Sequence, residues 1–392
     1  MYNFDKPFNR RNTNCWKWDA EGKNAKFAMG CADTDFRIPE PVAKALHAKI
    51  DEGALTYICD CDNVFLALAN YWKRQYDVTI DKDSICNCIG SMVGLRVMLD
   101  AYTHAGDAII IQTPVFNYFK DTAENYGRKV IDNTMIYNRE KGEYEINFEE
   151  LEEFAKNPRV KMMVICNPAN PTGKVYTKEE LEKIGKICCE NNIILLSDEI
   201  HSDFYFNNHK HTSVLSLNDK IKQNSIMLTG TGKTFNIHGF YTAFIVIPNN
   251  FIRTQFKIAY QNLRLDVIDM GLVAAEAAYN HCDDYVIEMR KYIAKNIEYA
   301  TNFFKEKNIK VKLVKPNSTY LLWLDFLDWN LTSDELDKLF KKYGLVLTRG
   351  SLFGKTADGF MRMDIATQLA NVTGALELIE TIYNENIKGE NK

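Results

Sequence analysis

The 392-residue sequence predicts an α/β protein, in which a mostly parallel mixed sheet carries helices on both faces and a smaller α+β domain lies beside it. Three observations predict this fold class. Short, continuous apolar strands alternate with helical patterns between residues 108 and 247, which is typical of a parallel sheet buried on both faces. At Asp283 this rhythm gives way to a long amphipathic helix. The segments after that helix mix strands and helices without the parallel rhythm.

The helices of the first hundred residues have recognisable ends. A helix is predicted over residues 40–52, with Pro41 in its first turn and Gly53 directly after it. A second helix follows Asp62, and a third covers residues 91–104. These helices precede the alternating part of the chain.

The alternating part supplies the strands of the sheet. Thr177 and Glu180 form a capping box, which marks the start of a helix between the strands at 162–166 and 193–197. The predicted strands are A-I-I-I-Q at 108–112, M-M-V-I-C at 162–166, I-I-L-L-S at 193–197, S-I-M-L-T at 225–229 and T-A-F-I-V-I at 242–247.

The C-terminal part begins with the long helix from Asp283, whose apolar residues recur at spacings of three and four. A strand follows over 320–326, then a helix that ends before Gly344, then a final helix to about Tyr383. We therefore expect residues 46–285 to form a large domain, with residues 1–45 and 286–392 forming a small one.

The composition argues against several classes of protein. The net charge is -4 and no block of basic residues is present, so neither nucleic acid nor an anionic membrane is expected as a partner. The N-terminus, M-Y-N-F-D-K-P-F-N-R-R-N, lacks the apolar core of a signal peptide. No apolar stretch approaches the length of a membrane span. We expect a soluble, cytoplasmic protein.

The ten cysteines include two C-x-C pairs, Cys59/Cys61 and Cys86/Cys88. Zinc sites more often combine C-x-x-C with a second pair or with histidines at a set distance. Cys86 and Cys88 lie in an apparent strand, where the period of two places both on one face. We interpret these two as small buried hydrophobic residues and predict no metal site.

The stretch L-T-G-T-G-K-T-F-N at 228–236 allows two interpretations. A nucleotide-binding phosphate loop needs G-x-x-x-x-G-K-[S/T], but the position of its first glycine is occupied by Met227, which lies in a predicted strand. The alternative is that Lys233 is itself a reactive group. The nucleotide interpretation is the weaker of the two.

Polar residues follow several predicted strands, at the edge where open parallel sheets bind ligands. Gly90 and Ser91 open a helix whose free N–H groups could hold a phosphate. Asp198 and Lys233 follow two other strands, and a structural salt bridge between them is the simpler alternative. Pyridoxal 5'-phosphate would use all three features at once, with its carbonyl on the lysine, its ring N–H on the aspartate and its phosphate at the helix.

With these residues in view, the sequence resembles the fold-type I pyridoxal-phosphate enzymes of aminotransferase class I/II over nearly its whole length. The motifs include A-D-T-D-F-R-I-P-E, N-P-A-N-P-T-G and G-F-M-R-M-D. Within that family, S-D-E-I-H-S-D, K-T-F-N-I-H-G and Y-L-L-W-L-D-F are similar to the carbon–sulfur β-lyase branch of cystathionine β-lyases and cystalysin. The expected cofactor is pyridoxal 5'-phosphate, bound in the large domain.

The resemblance implies roles for residues that surround the cofactor ring. Lys233 is the lysine that forms the Schiff base and acts in catalysis, and Asp198 is the partner of the pyridine nitrogen. Asn170 hydrogen-bonds the oxygen of the ring hydroxyl group, and His201 lies near it. Phe116 stacks over the ring where relatives usually have tyrosine.

The resemblance also implies how the phosphate and the substrate are held. The amides of Ser91 and Met92 bind the phosphate, together with Tyr57 from the other subunit of a homodimer with shared active sites. Arg362 binds the substrate carboxylate through its planar fork. On sequence alone, Arg362 could equally form a surface ion pair, and Tyr57 could be a core aromatic residue of its own subunit.

Three positions depart from the usual pattern of the lyase branch. Phe116 lacks a hydroxyl group, and Ala169 stands where histidine is common. Gly232 replaces the hydroxyl residue before the lysine, so its phosphate contact is expected to pass to Thr231 or Thr229. The resemblance favours β-elimination on an S-substituted cysteine such as cystathionine, with an aminotransferase as the alternative. Retention of Lys233, Asp198 and Asn170 disfavours a non-catalytic binding protein.

Overall fold

The computed structural model describes residues 2–388 and contains two main sheets surrounded by helices. The strands are β1 (Phe27–Ala28), β2 (Ile85–Ile89), β3 (Ala108–Ile111), β4 (Lys129–Asp132), β5 (Ile136–Asn138), β6 (Glu143–Glu145), β7 (Val160–Cys166), β8 (Ile194–Asp198), β9 (Ser225–Thr229), β10 (Thr242–Val246), β11 (Lys312–Leu313), β12 (Leu321–Asp325), β13 (Leu345–Val346), β14 (Thr348–Arg349) and β15 (Phe360–Asp364).

The seven helices predicted from the sequence are present, and six further helices of the described chain were not predicted. They are α1 (Glu40–Asp51), α2 (Asp62–Tyr76), α3 (Ser91–Tyr102), α4 (Tyr118–Asn125), α5 (Phe148–Ala155), α6 (Lys178–Glu190), α7 (Asp219–Gln223), α8 (Gly232–Phe235), α9 (Asn250–Asn262), α10 (Asp269–His281), α11 (Asp283–Lys307), α12 (Ser333–Lys342) and α13 (Leu369–Ile382). The capping box of Thr177 and Glu180 is present at the start of α6.

The larger sheet has seven strands in the order β2, β10, β9, β8, β7, β3, β4. Strand β10 is antiparallel to both of its neighbours, and the other pairs are parallel. Every residue of β3 and β9 is buried, because helices cover both faces of the sheet. The predicted α/β fold with a mostly parallel mixed sheet is confirmed.

The smaller sheet contains β11, β12, β15 and β14 in that order, and all of its pairs are antiparallel. The long helix α11 follows the end of the larger sheet, as the sequence predicts, and buries an apolar stripe that includes Met289, Ile293 and Ile297. The N-terminal strand β1 pairs with β13, so residues from the two ends of the chain meet in this part of the molecule.

A buried ion cluster also connects the two ends of the chain. The fully buried Lys17 donates from Nζ to Oδ2 of Asp35 at 2.9 Å and to Oδ2 of Asp364 at 3.0 Å. Arg10 pairs with Asp33 at 2.8 Å beside this cluster. The N-terminal segment is therefore fixed against β15 by paired charges, which satisfy one another away from water.

The structure bears on the stretch before Lys233, on the cysteines and on the expected absence of metal ligands and membrane spans. Met227 is buried in the middle of β9, where a phosphate loop would need its first glycine, and the helix that contains Lys233 has only four residues. The ten cysteines are free, and both Cys86 and Cys88 are buried in β2. No group of potential metal ligands occurs among residues 2–388, and no helix in that range combines the length and apolarity needed to cross a bilayer.

Candidate active site

A cavity of about 570 Å³ lies beyond the carboxyl ends of the parallel strands, where open α/β sheets bind ligands. Its size suits a small molecule with a bound cofactor. Most of the residues singled out in the sequence line it, although they come from distant parts of the chain: Ser91, Met92, Phe116, Asn170, Asp198, His201, Lys233 and Arg362.

One end of the cavity is formed by the N-terminus of α3. Gly90 precedes the helix with φ 84° and ψ 152°, a conformation that only glycine adopts without strain. No side chain caps the helix, so the N–H groups of its first turn have no intrahelical or side-chain acceptor. Because Ser91, Met92 and Val93 line the cavity, this end is suited to an anion.

Asp198 ends β8 and is held at the floor of the cavity. Its Oδ1 accepts a hydrogen bond from the N–H of Ile200 at 3.1 Å. Burial raises the pKa of Asp198 from 3.8 to about 7, against the opposing effects of that hydrogen bond and of Lys233. A cationic N–H beside the carboxyl group would favour its ionised form, so the position suits a protonated heterocycle.

His201 lies three residues after Asp198 and is buried among aromatic rings. Its ring lies 5.5 Å from that of Tyr320, measured between centroids. Burial, together with the charges of Lys233 and Arg362, lowers the pKa of His201 to about 3, so the ring is neutral at neutral pH. Its buried Nδ1 has no hydrogen-bond partner within the described chain, which leaves a polar group available to a ligand.

Lys233 is in the first turn of the short helix α8, directly after β9. Its Nζ donates to the carbonyl oxygen of Ala32 at 2.6 Å. Burial lowers the pKa of this amine, which increases the fraction of the neutral, nucleophilic form. The following Thr234 donates to Asp203 at 2.6 Å, and Asp203 also accepts from Tyr71 at 2.6 Å. These bonds fix α8 against α2.

Arg362 lies on β15 and forms the other end of the cavity. Its Nη1 donates to Oδ1 of Asn170 at 3.1 Å, and its Nη2 donates to the carbonyl oxygen of Gly30 at 2.9 Å and to Oγ1 of Thr348 at 3.2 Å. Its Nε is buried and has no partner among the described residues. The guanidinium group is thus fixed by neutral acceptors and keeps an unpaired positive charge for an anionic ligand.

Three candidate residues from the sequence do not line the cavity of the single chain. Tyr57 is 99% exposed in the extended segment between α1 and α2. Thr231 and Thr229 are both buried and do not line the cavity, whereas Thr242 on β10 does. Its hydroxyl group donates to the carbonyl oxygen of Phe240 at 3.3 Å. Thr242 is therefore a threonine of the cavity wall, on the strand that pairs with β9.

The sequence prediction missed other residues of the cavity wall. Glu21 and Cys31 come from the N-terminal segment, and His238, Tyr241 and Thr242 follow Lys233 along the chain. His238 lies 3.7 Å from Asp33, measured from Nε2 to Oδ1. Glu21 ends the helical turn that contains W-K-W-D, but nothing in the local sequence indicates that its carboxyl group faces a cavity.

The donor set fits pyridoxal phosphate. An uncapped helix N-terminus suits its phosphate, a buried carboxyl group suits its pyridine nitrogen, and a partly desolvated lysine suits its aldehyde. Nδ1 of His201, which has no partner among residues 2–388, and the side-chain amide of Asn170 add polar groups to the cavity wall. Phe116 adds an aromatic face to the same wall.

Comparisons with known proteins agree with this geometry. The profile of the family described as "Aminotransferase class I and II" matches residues 31–379. The cystathionine beta-lyase PatB of Bacillus subtilis is 33% identical over 384 residues, which are 96% of this chain and 99% of that protein. An aspartate aminotransferase of Pyrococcus abyssi is 26% identical over 374 residues, covering 93% of this chain and 94% of that protein.

The structure of cystalysin from Treponema denticola, which contains a pyridoxal 5'-phosphate cofactor, superposes with a TM-score of 0.94 at 27% identity. The match covers 98% of this chain and 100% of that one. This chain therefore belongs to the aminotransferase class I and II family and is an enzyme dependent on pyridoxal phosphate.

Proposed function

We propose that the protein is a carbon–sulfur β-lyase, which releases a thiol, pyruvate and ammonia from S-substituted L-cysteines such as cystathionine. The observation that carries this proposal is the 33% identity to a cystathionine beta-lyase over nearly the full length of both chains. The aspartate aminotransferase of Pyrococcus abyssi shares 26% over a similar length. The likeness to cystalysin in fold supports the same assignment.

Lys233 is the proposed catalytic residue. Its Nζ would hold the cofactor covalently and, once freed by the amino group of the substrate, would take the Cα proton as a general base. The lowered pKa of the buried amine supports both roles, because each requires a neutral nitrogen. The hydrogen bonds of Thr234 and Asp203 hold the helix that carries Lys233.

Three residues are proposed to hold and tune the cofactor ring. When bound, pyridoxal phosphate supplies an electron sink for the electron pair left at Cα. Asp198 would keep the pyridine nitrogen protonated, Nδ2 of Asn170 would donate to the ring hydroxyl oxygen, and Phe116 would pack against the ring. Neutral His201 lines the same cavity as Asn170 and adds no competing charge.

The remaining contacts orient the two ends of the bound molecules. The first amides of α3, at Ser91 and Met92, hold the phosphate, and a nearby hydroxyl group supports them. We retain Thr231 and Thr229 as candidates for that contact and add Thr242, which lines the cavity. Arg362 receives the α-carboxylate of the substrate on its unpaired charge.

The net reaction consumes one water. The Cα–H and Cβ–S bonds break, the Cα proton goes to Lys233, and the sulfur leaves with the electrons of its bond as a thiolate that is protonated to the thiol. Hydrolysis of the remaining three-carbon unit gives pyruvate and ammonium. The protein must therefore bring Nζ to the Cα proton while Arg362 fixes the carboxylate on the same carbon.

The second candidate is an aminotransferase, which the match to aspartate aminotransferases favours. Holoenzyme incubated with L-cystathionine and no keto acid distinguishes the two. A lyase releases pyruvate over many turnovers. Release of about one product per active site, with turnover resuming only after a keto acid is added, would instead establish the aminotransferase.

We also propose a homodimer with shared active sites, in which Tyr57 of the partner subunit reaches the phosphate. The exposure of Tyr57 supports this assignment. Mixing Tyr57→Phe subunits with Lys233→Ala subunits is expected to restore activity, because one site of each hybrid dimer carries neither change. Fully active monomers in light scattering would contradict it.

We also propose a cytoplasmic location and a division of the chain into two domains. A cytoplasmic location is supported by ten free thiols, which suit a reducing compartment. A small domain of residues 1–45 and 286–392, beside a large cofactor-binding domain of residues 46–285, is supported by the pairing of β1 with β13 and of Lys17 with Asp364. Limited proteolysis with mass spectrometry tests these boundaries.

A further inference from the structure

Glu21 is the second acidic side chain that lines the cavity besides Asp198, within the part of the chain that the structure describes. It ends a single helical turn, Trp16–Glu21, which begins at the solvent-exposed rim with Trp16. A Cβ atom on Gly30 would lie only 2.5 Å from Oε1 of Glu21, so the carboxyl group fits here because residue 30 is glycine. The carbonyl oxygen of the same Gly30 accepts from Arg362.

The carboxyl group of Glu21 forms no ion pair with any of residues 2–388. Lys17, one turn earlier in the chain, forms ion pairs with Asp35 and Asp364 instead. Arg362 donates to Asn170, Gly30 and Thr348 instead. Burial raises the pKa of Glu21 above its ordinary value, against the attraction of Arg362, Lys17 and Lys341 and a hydrogen bond from the backbone N–H of Cys31. A partly buried carboxylate without an ion-pair partner is stabilised when a ligand supplies a cation.

The other groups of the cavity wall favour the same kind of ligand. Trp16, Tyr118 and Tyr241 are aromatic, lie in the wall and are 70%, 54% and 66% exposed. Aromatic faces attract ammonium groups. The lysine and arginine side chains that line the cavity in the described chain are Lys233 and Arg362, and both have proposed roles at Cα. The wall therefore offers no further lysine or arginine to a second substrate carboxylate.

We propose that Glu21 is a specificity-determining residue that selects substrates carrying an ammonium group beyond the sulfur atom. This inference rests on the proposed lyase function and names the charge of the thiol that the enzyme releases. An ammonium group on that thiol is attracted by Glu21 and by the aromatic rim, whereas a lone carboxylate is repelled. Cystathionine carries an ammonium group in this part of the molecule, together with a carboxylate.

Three S-substituted cysteines of similar length test the inference in the holoenzyme. S-(2-aminoethyl)-L-cysteine carries an ammonium group, S-propyl-L-cysteine is neutral, and S-carboxymethyl-L-cysteine carries a carboxylate. We expect kcat/KM for pyruvate release to fall in that order. Glu21→Gln is expected to lower the value for the aminoethyl substrate about tenfold or more and to raise that for the carboxymethyl substrate, because one unpaired charge has been removed. The propyl substrate and the surface control Glu40→Gln should change little.

A binding experiment separates this inference from the proposed reaction. L-ornithine, L-norvaline and L-glutamate carry the same three kinds of side-chain charge without a sulfur leaving group, and their dissociation constants follow from the visible absorption of the bound cofactor. If ornithine binds tightest and loses that advantage in Glu21→Gln while no cysteine conjugate is cleaved, the lyase proposal fails and the Glu21 inference stands. If all conjugates are cleaved with equal kcat/KM in both proteins, the lyase stands and the inference is overturned.

Glu21→Asp keeps the charge and controls for effects on folding. We expect it to retain the preference for aminoethyl over carboxymethyl substrates. If Glu21→Gln does not yield folded holoenzyme, the ligand order of the unmodified enzyme decides. Equal affinity for ornithine and norvaline, or tighter binding of glutamate, would overturn the inference.

Discussion

The two ends of the cavity differ in the groups that form them: backbone N–H groups at one end and a buried side chain at the other. At the α3 end, consecutive backbone N–H groups from Ser91 onward face the cavity, and no side chain caps them. At the Arg362 end, a guanidinium group is held by Asn170, Gly30 and Thr348, which lie up to 332 positions away along the chain. The first end depends on backbone conformation and is intact wherever α3 forms. The second depends on the packing of three separate segments.

The floor between these ends differs from both, because its groups are charged or titratable and carry the chemistry. The largest effect is therefore expected at Lys233. Lys233→Ala removes the covalent link to the cofactor and the general base, and turnover should fall by at least about 10³-fold. Lys186→Ala, on the exposed face of α6, is the matched control. Borohydride reduction and peptide mapping locate the link, and an adduct that persists on another lysine would refute the assignment.

The next largest effect is expected for Asp198→Asn, which should stabilise the cofactor-free protein but weaken the binding of the cofactor. With its pKa raised from 3.8 to about 7, Asp198 in the folded, cofactor-free protein keeps a proton that the unfolded chain releases in this window. The free energy of unfolding should therefore fall as pH rises from about 4 to about 7. Asp198→Asn removes this loss, so above about pH 7 the cofactor-free variant should be more stable by at most roughly 4 kcal/mol.

Urea unfolding of both cofactor-free proteins across that pH range measures this difference. In the holoenzyme the same change should weaken cofactor retention, because the pyridine nitrogen loses its carboxylate partner. An unchanged stability difference at all pH values would show that the burial of Asp198 does not control its titration.

Arg362→Lys tests the end of the cavity that depends on side chains. A lysine keeps the charge but not the planar fork, so the contacts to Asn170 and Gly30 cannot both be retained. We expect KM for the amino-acid substrate to rise about 30- to 100-fold, or about 2–3 kcal/mol, with a smaller change in kcat. Arg349→Lys, on the neighbouring strand β14 and paired with Asp334, is the control. Equal effects of the two changes would contradict a special role for Arg362.

Gly90→Ala tests the end that depends on the backbone, and its expected effect is the smallest. A Cβ atom there would meet Tyr241 at an ordinary 3.5 Å, so the cost comes from the positive φ of 84° rather than from a clash. We expect a loss of about 1–2 kcal/mol in stability and weaker cofactor binding. Gly106→Ala shares the positive φ, at 88°, outside the cavity wall. It should lose stability with unchanged cofactor affinity in fluorescence titration.

The contrast between local and long-range contacts also explains which parts of the site could be predicted from the sequence. The α3 end, Asp198 and Lys233 each follow a strand that is recognisable from a local apolar run, and strand ends meet at one edge of a parallel sheet. The capping box of α6 and the apolar stripe of α11 are equally local signals. Apolar runs, a capping box and helical periodicity are local signals, and they are enough to place these elements.

Glu21, Cys31 and Thr242 could not be found in this way. Glu21 reaches the cavity because β1 pairs with β13 and Lys17 pairs with Asp364, and both contacts join residues more than 300 positions apart. The antiparallel β10 brings Thr242 back to the ligand edge, although its apolar run does not differ from those of the parallel strands. The position of Arg362 was inferred from resemblance, and its three acceptors were not visible in the sequence.

The link between Lys17 and Asp364 has a consequence for how the protein is made. These residues are separated by 347 positions, so Lys17 leaves the ribosome long before its carboxylate partner is synthesised. Until then Asp35 is the one carboxylate available to pair with Lys17, so a side chain that is fully buried in the finished protein lacks one of its two ion pairs, which opposes its burial. A chain truncated before Asp364 also lacks this half of the closing contact. We expect such fragments to leave their N-terminal segment open to proteases, so that only completed chains survive in the cell.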